Sequence, residues 1–237
     1  MSGTPRKPSI RVPAATSFEG QMTIRLYGFW RSLATFRVRA ALNFKELDYV
    51  EQIVDLTKGE QFEEGFHRLN PQHALPVLEH DGLRLTQSLP IIEYLDETWP
   101  HAPLLPTDPA GRARVRALAQ MTSADVHPLI VPRVRAMLEN RYGVDEAGRL
   151  EWIRHWFDIG SVAIEARLEG DGASGRHAHG DDVTLADFAL ASHVIGARLF
   201  DADLSRAPRL AAVADRCLAL DAFARAAPLA QPGAPRP

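Results

Sequence analysis

Residues 70–98 read NPQHALPVLEHDGLRLTQSLPIIEYLDET, and the alternation within this stretch decides the fold. Asp81-Gly82 is the strongest short-range hairpin signal. The apolar-rich runs on either side, 76–80 and 83–86, read as its two strands. Asn70-Pro71 closes a short helix over 61–69, because a proline disfavours helical backbone in the residue before it. Ser88 reads as the cap of a helix running to about residue 98, with Pro90 tolerated in its first turn. Working upstream, residues 23–29 alternate apolar and polar side chains as a half-buried strand does. Residues 33–44 space Phe36, Ala40 and Phe44 along one helix face, and 49–54 is a second strand. The order βαβαββα predicts a mixed sheet with helices packed on it.

Downstream the strand signals stop. Residues 99–108 (WPHAPLLPTD) read as an inter-domain linker. Asp108 caps a long helix expected over 109–140, and 146–168 is a second. A loop covers 170–180. Thr184-Leu185-Ala186-Asp187 opens a third helix with a capping-box pattern in which Asp replaces the usual Glu. A fourth helix covers 209–220. The expected organisation is a disordered tail or extension at 1–22, an α/β domain at 23–103, an all-helical domain at 104–228 and a second disordered tail at 229–237. Met22 is an alternative start.

Composition bounds the function. With 46% apolar and 24% charged residues the chain has ordinary globular values. A net charge of −3 argues against a nucleic-acid or anionic-membrane surface. No apolar run approaches the roughly 20 residues of a spanning helix. One cysteine, Cys217, excludes internal disulfides and fits a reducing cytoplasm; it sits among Ala and Leu as a buried small hydrophobe. There is no GxGxxG, GxxxxGK[ST], HExxH, CxxC or GxSxG. His177 and His179 lack an acidic or cysteine partner at ligand spacing, so no metal is expected and they read as a solvated loop.

Trp30-Arg31-Ser32-Leu33-Ala34-Thr35 places a hydroxyl where a strand gives way to a helix. A helix N-terminus offers unpaired amides and partial positive charge, which favour an anion. Ser32 is then either a simple N-cap or a hydrogen-bond donor to a thiolate held there. Cys217 is far along the chain, so such a thiol belongs to a ligand.

Residues 70–78 (NPQHALPVL) followed by 87–95 (QSLPIIEYL) resemble the glutathione-binding half of glutathione transferases. Trp30-Arg31-Ser32, Arg37-Val38-Arg39 and Val183-Thr184-Leu185-Ala186-Asp187 resemble the zeta class, which includes maleylacetoacetate and maleylpyruvate isomerases. The resemblance runs from about Thr23 to Pro228. It implies a thioredoxin-like N-terminal domain, an all-helical C-terminal domain, glutathione as cofactor and a homodimer in the cytoplasm. It further implies Pro76 as a cis-proline that lets the Leu75 backbone pair with glutathione. Gln87 and Ser88 would hold the γ-glutamyl end, and Ser32, with Thr35, would face the sulfur. His127 and Arg133 match substrate-side positions, and Arg198 is the candidate for an arginine that the class carries one residue later, at Leu199. Thr184 and Asp187 are implied to form a folding cap.

Two departures stand out. Ala34 removes a second polar side chain that the class sets beside the sulfur, and Leu199, Val131 and Pro132 make the substrate side more apolar. The expected function is glutathione-dependent cis–trans isomerisation of a maleyl dicarboxylate in aromatic catabolism. The alternatives are glutathione conjugation or dehalogenation of an apolar electrophile, and a non-catalytic glutathione-fold binding protein.

Overall fold

The computed structural model describes residues 23–170 and 172–235; the expected tail at 1–22 lies outside them. Strand β1 (Ile24–Gly28) leads into α1 (Leu33–Phe44), and β2 (Tyr49–Ile53) returns parallel to β1, in register from Ile24↔Tyr49 to Gly28↔Ile53. After a 3-10 turn and α2 (Glu64–Leu69), the hairpin of β3 (Val77–His80) and β4 (Leu83–Thr86) adds antiparallel strands. The sheet order is β2-β1-β3-β4. Helix α3 (Ser88–Thr98) completes a thioredoxin-like unit.

Gly28 is required where β1 passes under α1. A Cβ there would lie 2.6 Å from Thr35 Cγ2 and 2.2 Å from Glu51 Oε1, and the Glu51 carboxylate is paired with the buried Arg39.

The helical part differs from expectation first in residues 109–140. Residues 109–140 form α4 (Pro109–Gln120), a π-helical turn (Met121–Val126), α5 (His127–Ile130) and α6 (Pro132–Tyr142). Pro128 supplies no amide for a normal helical bond. Pro132 drives Val131 into extended backbone, with φ −67° and ψ 157°. π-Turns and broken helices of this kind recur at functional sites. Helices α7 (Glu146–Gly170), α8 (Leu185–Leu199), α9 (Pro208–Leu218) and α10 (Asp221–Ala226) follow. The last lies beyond the fourth helix expected over 209–220 and was not predicted.

The linker is pinned. Buried Lys45, just past α1, donates its ammonium to the carbonyls of Trp99 (2.8 Å) and His101 (2.9 Å) and sits 2.9 Å from Asp96 Oδ1. Across the same seam Phe188 of α8 stacks on Phe223 of α10 at 4.8 Å, and Phe36 of α1 meets Phe223 edge-on. The two halves therefore share one apolar core.

Residues 229–235, expected as part of a disordered tail, instead continue a 3-10 turn at Pro228–Ala230. Gln231 Nε2 donates to the Arg225 and Ala227 carbonyls, and a Cβ at Gly233 would lie 3.7 Å from the Trp30 indole. Among the described residues, no helix is long and apolar enough to cross a membrane.

Candidate functional site

Ser32 stands where β1 hands the chain to α1. Its extended backbone is that of an N-cap, and its Oγ accepts the Thr35 amide at 3.1 Å. The first turn of α1 carries no acid, so the helix end keeps its partial positive charge. A hydroxyl that accepts through oxygen still has its own proton to donate, and Ser32 is only half-buried. Thr35 is fully buried, and its hydroxyl has no partner among the described residues. It meets Ser32 through its amide.

The loop before β3 is braced from both sides. Asn70 donates to the Ala74 carbonyl (2.8 Å) and accepts the Gln72 amide (3.0 Å), while His73 Nδ1 lies 2.7 Å from the Gln61 carbonyl. The bracing presents Leu75, whose bond to Pro76 is cis. The Leu75 backbone N–H and C=O have no partner among the described residues. Next to it, Gln87 holds φ at 68°, uncommon for a residue other than glycine, and its amide donates to Gln72 Oε1 at 3.0 Å. Gln87 is the N-cap of α3, which corrects the reading of Ser88 as the cap. Ser88 is the buried first helical residue, and Pro90 limits the free amides at this end to Ser88 and Leu89.

On the helical side, the break between α4 and α6 brings out His127. Arg37 Nη2 lies 3.3 Å from His127 Nδ1. Because arginine only donates, Nδ1 accepts, and the ring is the Nε2–H tautomer. Burial, then the positive charges of Arg37, His193 and Arg133, push the His127 imidazole down to about 3. Burial likewise takes His193 to about 4 and the Arg37 guanidinium to about 10. Arg37 is 1% exposed, and its Nε and Nη1 have no partner among the described residues. Because the unfolded chain protonates His127 near 6.5 and the native chain only near 3, stability is lost as pH falls below 6.5. Lowering the pH from 6 to 5 is expected to cost the wild type about 1 kcal/mol more than His127→Gln, read by urea denaturation at each pH.

Arg133 is exposed at the second position of α6 and makes no ion pair among the described residues. Arg198 is engaged elsewhere. Its Nη1 and Nη2 grip both carboxylate oxygens of Asp215 on α9, at 2.6 and 3.0 Å, and the pair lowers the Asp215 carboxyl. Leu199 is 40% exposed. Residues that sequence reasoning missed complete this side: Arg31 and Arg135 both lie over the Phe200 ring, at 5.5 and 5.6 Å from its centroid. The available signal was the run of basic residues at 133, 135 and 141 with a single acid, Glu139, among them. For Arg37 it was a charge within an apolar helix pattern.

His177 does not sit in a solvated loop. It is buried, with Nδ1 at 3.4 Å from Asp187 Oδ1 and 3.6 Å from Cys217 Sγ. Asp187 already accepts the Ala178 amide and both the amide and hydroxyl of Thr184. Burial, reinforced by that carboxylate, pushes the Cys217 thiol up, so it stays protonated and donates to Asp187. These three side chains form a hydrogen-bonded support for the α8 cap.

Residues 22–97 match the model of the glutathione S-transferase N-terminal domain. A probable maleylacetoacetate isomerase of Vibrio cholerae is 45% identical over 90% of this chain and 99% of its own length. A maleyl pyruvate isomerase described as a bacterial zeta-class glutathione S-transferase superposes with a TM-score of 0.87 at 44% identity, over 89% of this chain and all of that one. The maleylacetoacetate isomerase of Methylobacterium extorquens AM1, solved with malonate and GSH bound, gives 0.87 at 46% identity, over 90% and 100%. The chain belongs to the glutathione S-transferase family and, within it, to the zeta class of maleylacetoacetate and maleylpyruvate isomerases.

Proposed function

We propose that this enzyme catalyses the glutathione-dependent cis–trans isomerisation of maleylacetoacetate or maleylpyruvate. The observation that carries the reading is a cap hydroxyl at an acid-free helix end whose preceding residue, Arg31, shares the Phe200 ring with Arg135, neither guanidinium having an acid partner among the described residues. Residues 23–103 act as the glutathione half and 104–228 as the substrate half. The residues fit glutathione. The open Leu75 backbone offers a strand-like edge to its peptide. The amides opening α3, with Ser88 and Gln87, suit its γ-glutamyl carboxylate and amine, and the strained Gln87 backbone is the kind of outlier that marks a ligand clamp.

Bound glutathione supplies a thiolate that adds reversibly to the cis double bond, so that rotation about the resulting single bond and departure of the thiolate leave the trans isomer. Ser32 donates a hydrogen bond to the thiolate sulfur, and the α1 end holds the negative charge. Arg133 binds a substrate carboxylate. His127, kept neutral and donating through Nε2, orients substrate oxygen without adding charge. The enzyme acts as a cytoplasmic homodimer.

The test is the absorbance change of maleylpyruvate with the purified protein, with and without glutathione. Turnover that requires glutathione is expected. Absence of isomerisation by folded protein that conjugates an apolar electrophile would replace this reading with the transferase one.

A further inference from the structure

Two guanidinium groups share one phenyl ring. Arg31 is the residue before Ser32; Arg135 lies one turn into α6; Phe200 follows Leu199 at the end of α8. Neither arginine has an acid partner among the described residues. Arg135 is partly buried, and its Nε is enclosed with no hydrogen-bond partner. Many other arginines are paired with acids, among them Arg39 on Glu51, Arg116 on Glu93, Arg149 on Glu139 and Arg198 on Asp215. Like charges held near one ring repel, and a half-buried guanidinium with an orphaned N–H leaves hydrogen-bonding capacity unused. A guanidinium held against a ring face keeps its N–H groups in a fork that suits a planar, bidentate anion. A carboxylate bridging the two groups removes both costs.

We infer that Arg135, working with Arg31 across Phe200, is the specificity-determining clamp for a carboxylate of the substrate. This role is separate from that of Arg198, whose charge is taken by Asp215. The inference rests on the proposed dicarboxylate reaction. It makes α6, through the helix break at Val131, the source of the guanidinium that α8 does not supply at Leu199.

Three variants test it. Arg135→Met keeps the stem on Phe200 and removes the charge. It is expected to raise KM for maleylpyruvate roughly tenfold or more, with a smaller change in kcat. Arg135→Lys restores part of the loss, because it returns the charge without the fork. Arg198→Met is expected to change KM less than twofold. An unchanged KM in Arg135→Met, or an increase in Arg198→Met as large as that in Arg135→Met, overturns the assignment. Calorimetric titration of maleate into the glutathione-loaded protein separates the clamp from the reaction. If the wild type fails to isomerise maleylpyruvate, the functional reading fails, yet maleate binding roughly tenfold weaker in Arg135→Met still supports the clamp, and equal binding refutes it.

Discussion

Replacing Ser32 by alanine is expected to lower kcat/KM for isomerisation roughly tenfold to a hundredfold at neutral pH. The magnitude follows from the loss of one hydrogen bond to a charged acceptor, about 1.5–3 kcal/mol. The geometry says why this hydroxyl is available. Its oxygen is occupied by the Thr35 amide, at 3.1 Å, which leaves the proton with no role in the cap. No neighbouring side chain compensates, because Ala34 is apolar and Thr35 is buried away from solvent. The bound thiol then titrates closer to its free value, near ~8.5. The deficit is therefore expected to be largest below neutrality and to shrink as pH rises past 8, where thiolate forms without help. Ser32→Thr, which keeps donor and cap, is expected to recover most of the rate. Losing the cap also costs about 0.5–2 kcal/mol of stability, so the unfolding midpoint should be followed in parallel. A folded Ser32→Ala enzyme with undiminished activity at pH 7 would remove Ser32 from the mechanism.

The largest stability effect is expected at Asp187, where alanine should cost about 3–5 kcal/mol. The carboxylate is fully buried. One oxygen accepts the Thr184 amide and hydroxyl, each at 2.8 Å, and the other accepts the Ala178 amide at 3.0 Å. Truncation strands three buried donors, removes the reciprocal half of the α8 capping box and leaves His177 and Cys217 facing a void. Against a total stability of roughly 5–15 kcal/mol for a typical domain, that is a large share. Asparagine should rescue little, since its amide group sets two donors against donors already there. Urea denaturation followed by both circular dichroism and tryptophan fluorescence measures the loss. A change below about 1 kcal/mol in Asp187→Ala would show that these bonds are exchanged for solvent at little cost.

How much was legible depended on whether the signal was local. Hairpin chemistry at Asp81-Gly82, the helix period through Phe36, Ala40 and Phe44, and the Thr184/Asp187 cap act over a few residues, so pattern and structure coincide there. The break at 121–132 was also written locally, in Pro128 and Pro132. It was overlooked because the surrounding apolar spacing suits one long helix, and two prolines had to outweigh it. At Ser88 the pattern named the right turn and the wrong capping residue. The backbone there turns through a positive φ at Gln87, which propensity alone does not predict.

Sequence alone determined the element order of the α/β half, the mixed sheet and the position of Ser32 at a helix start, since backbone hydrogen bonds and side-chain periods are short-range. Tertiary structure alone decided which charges are spent and which remain open. Arg198 and Asp215 stand 17 residues apart, Arg37 and His127 stand 90 apart, and Arg31 meets Arg135 only because Phe200 lies between them. A guanidinium looks the same in a sequence whether paired or not. Its availability to a substrate depends on which carboxylates the packing of distant helices places within hydrogen-bond reach, and that distance is set by the fold.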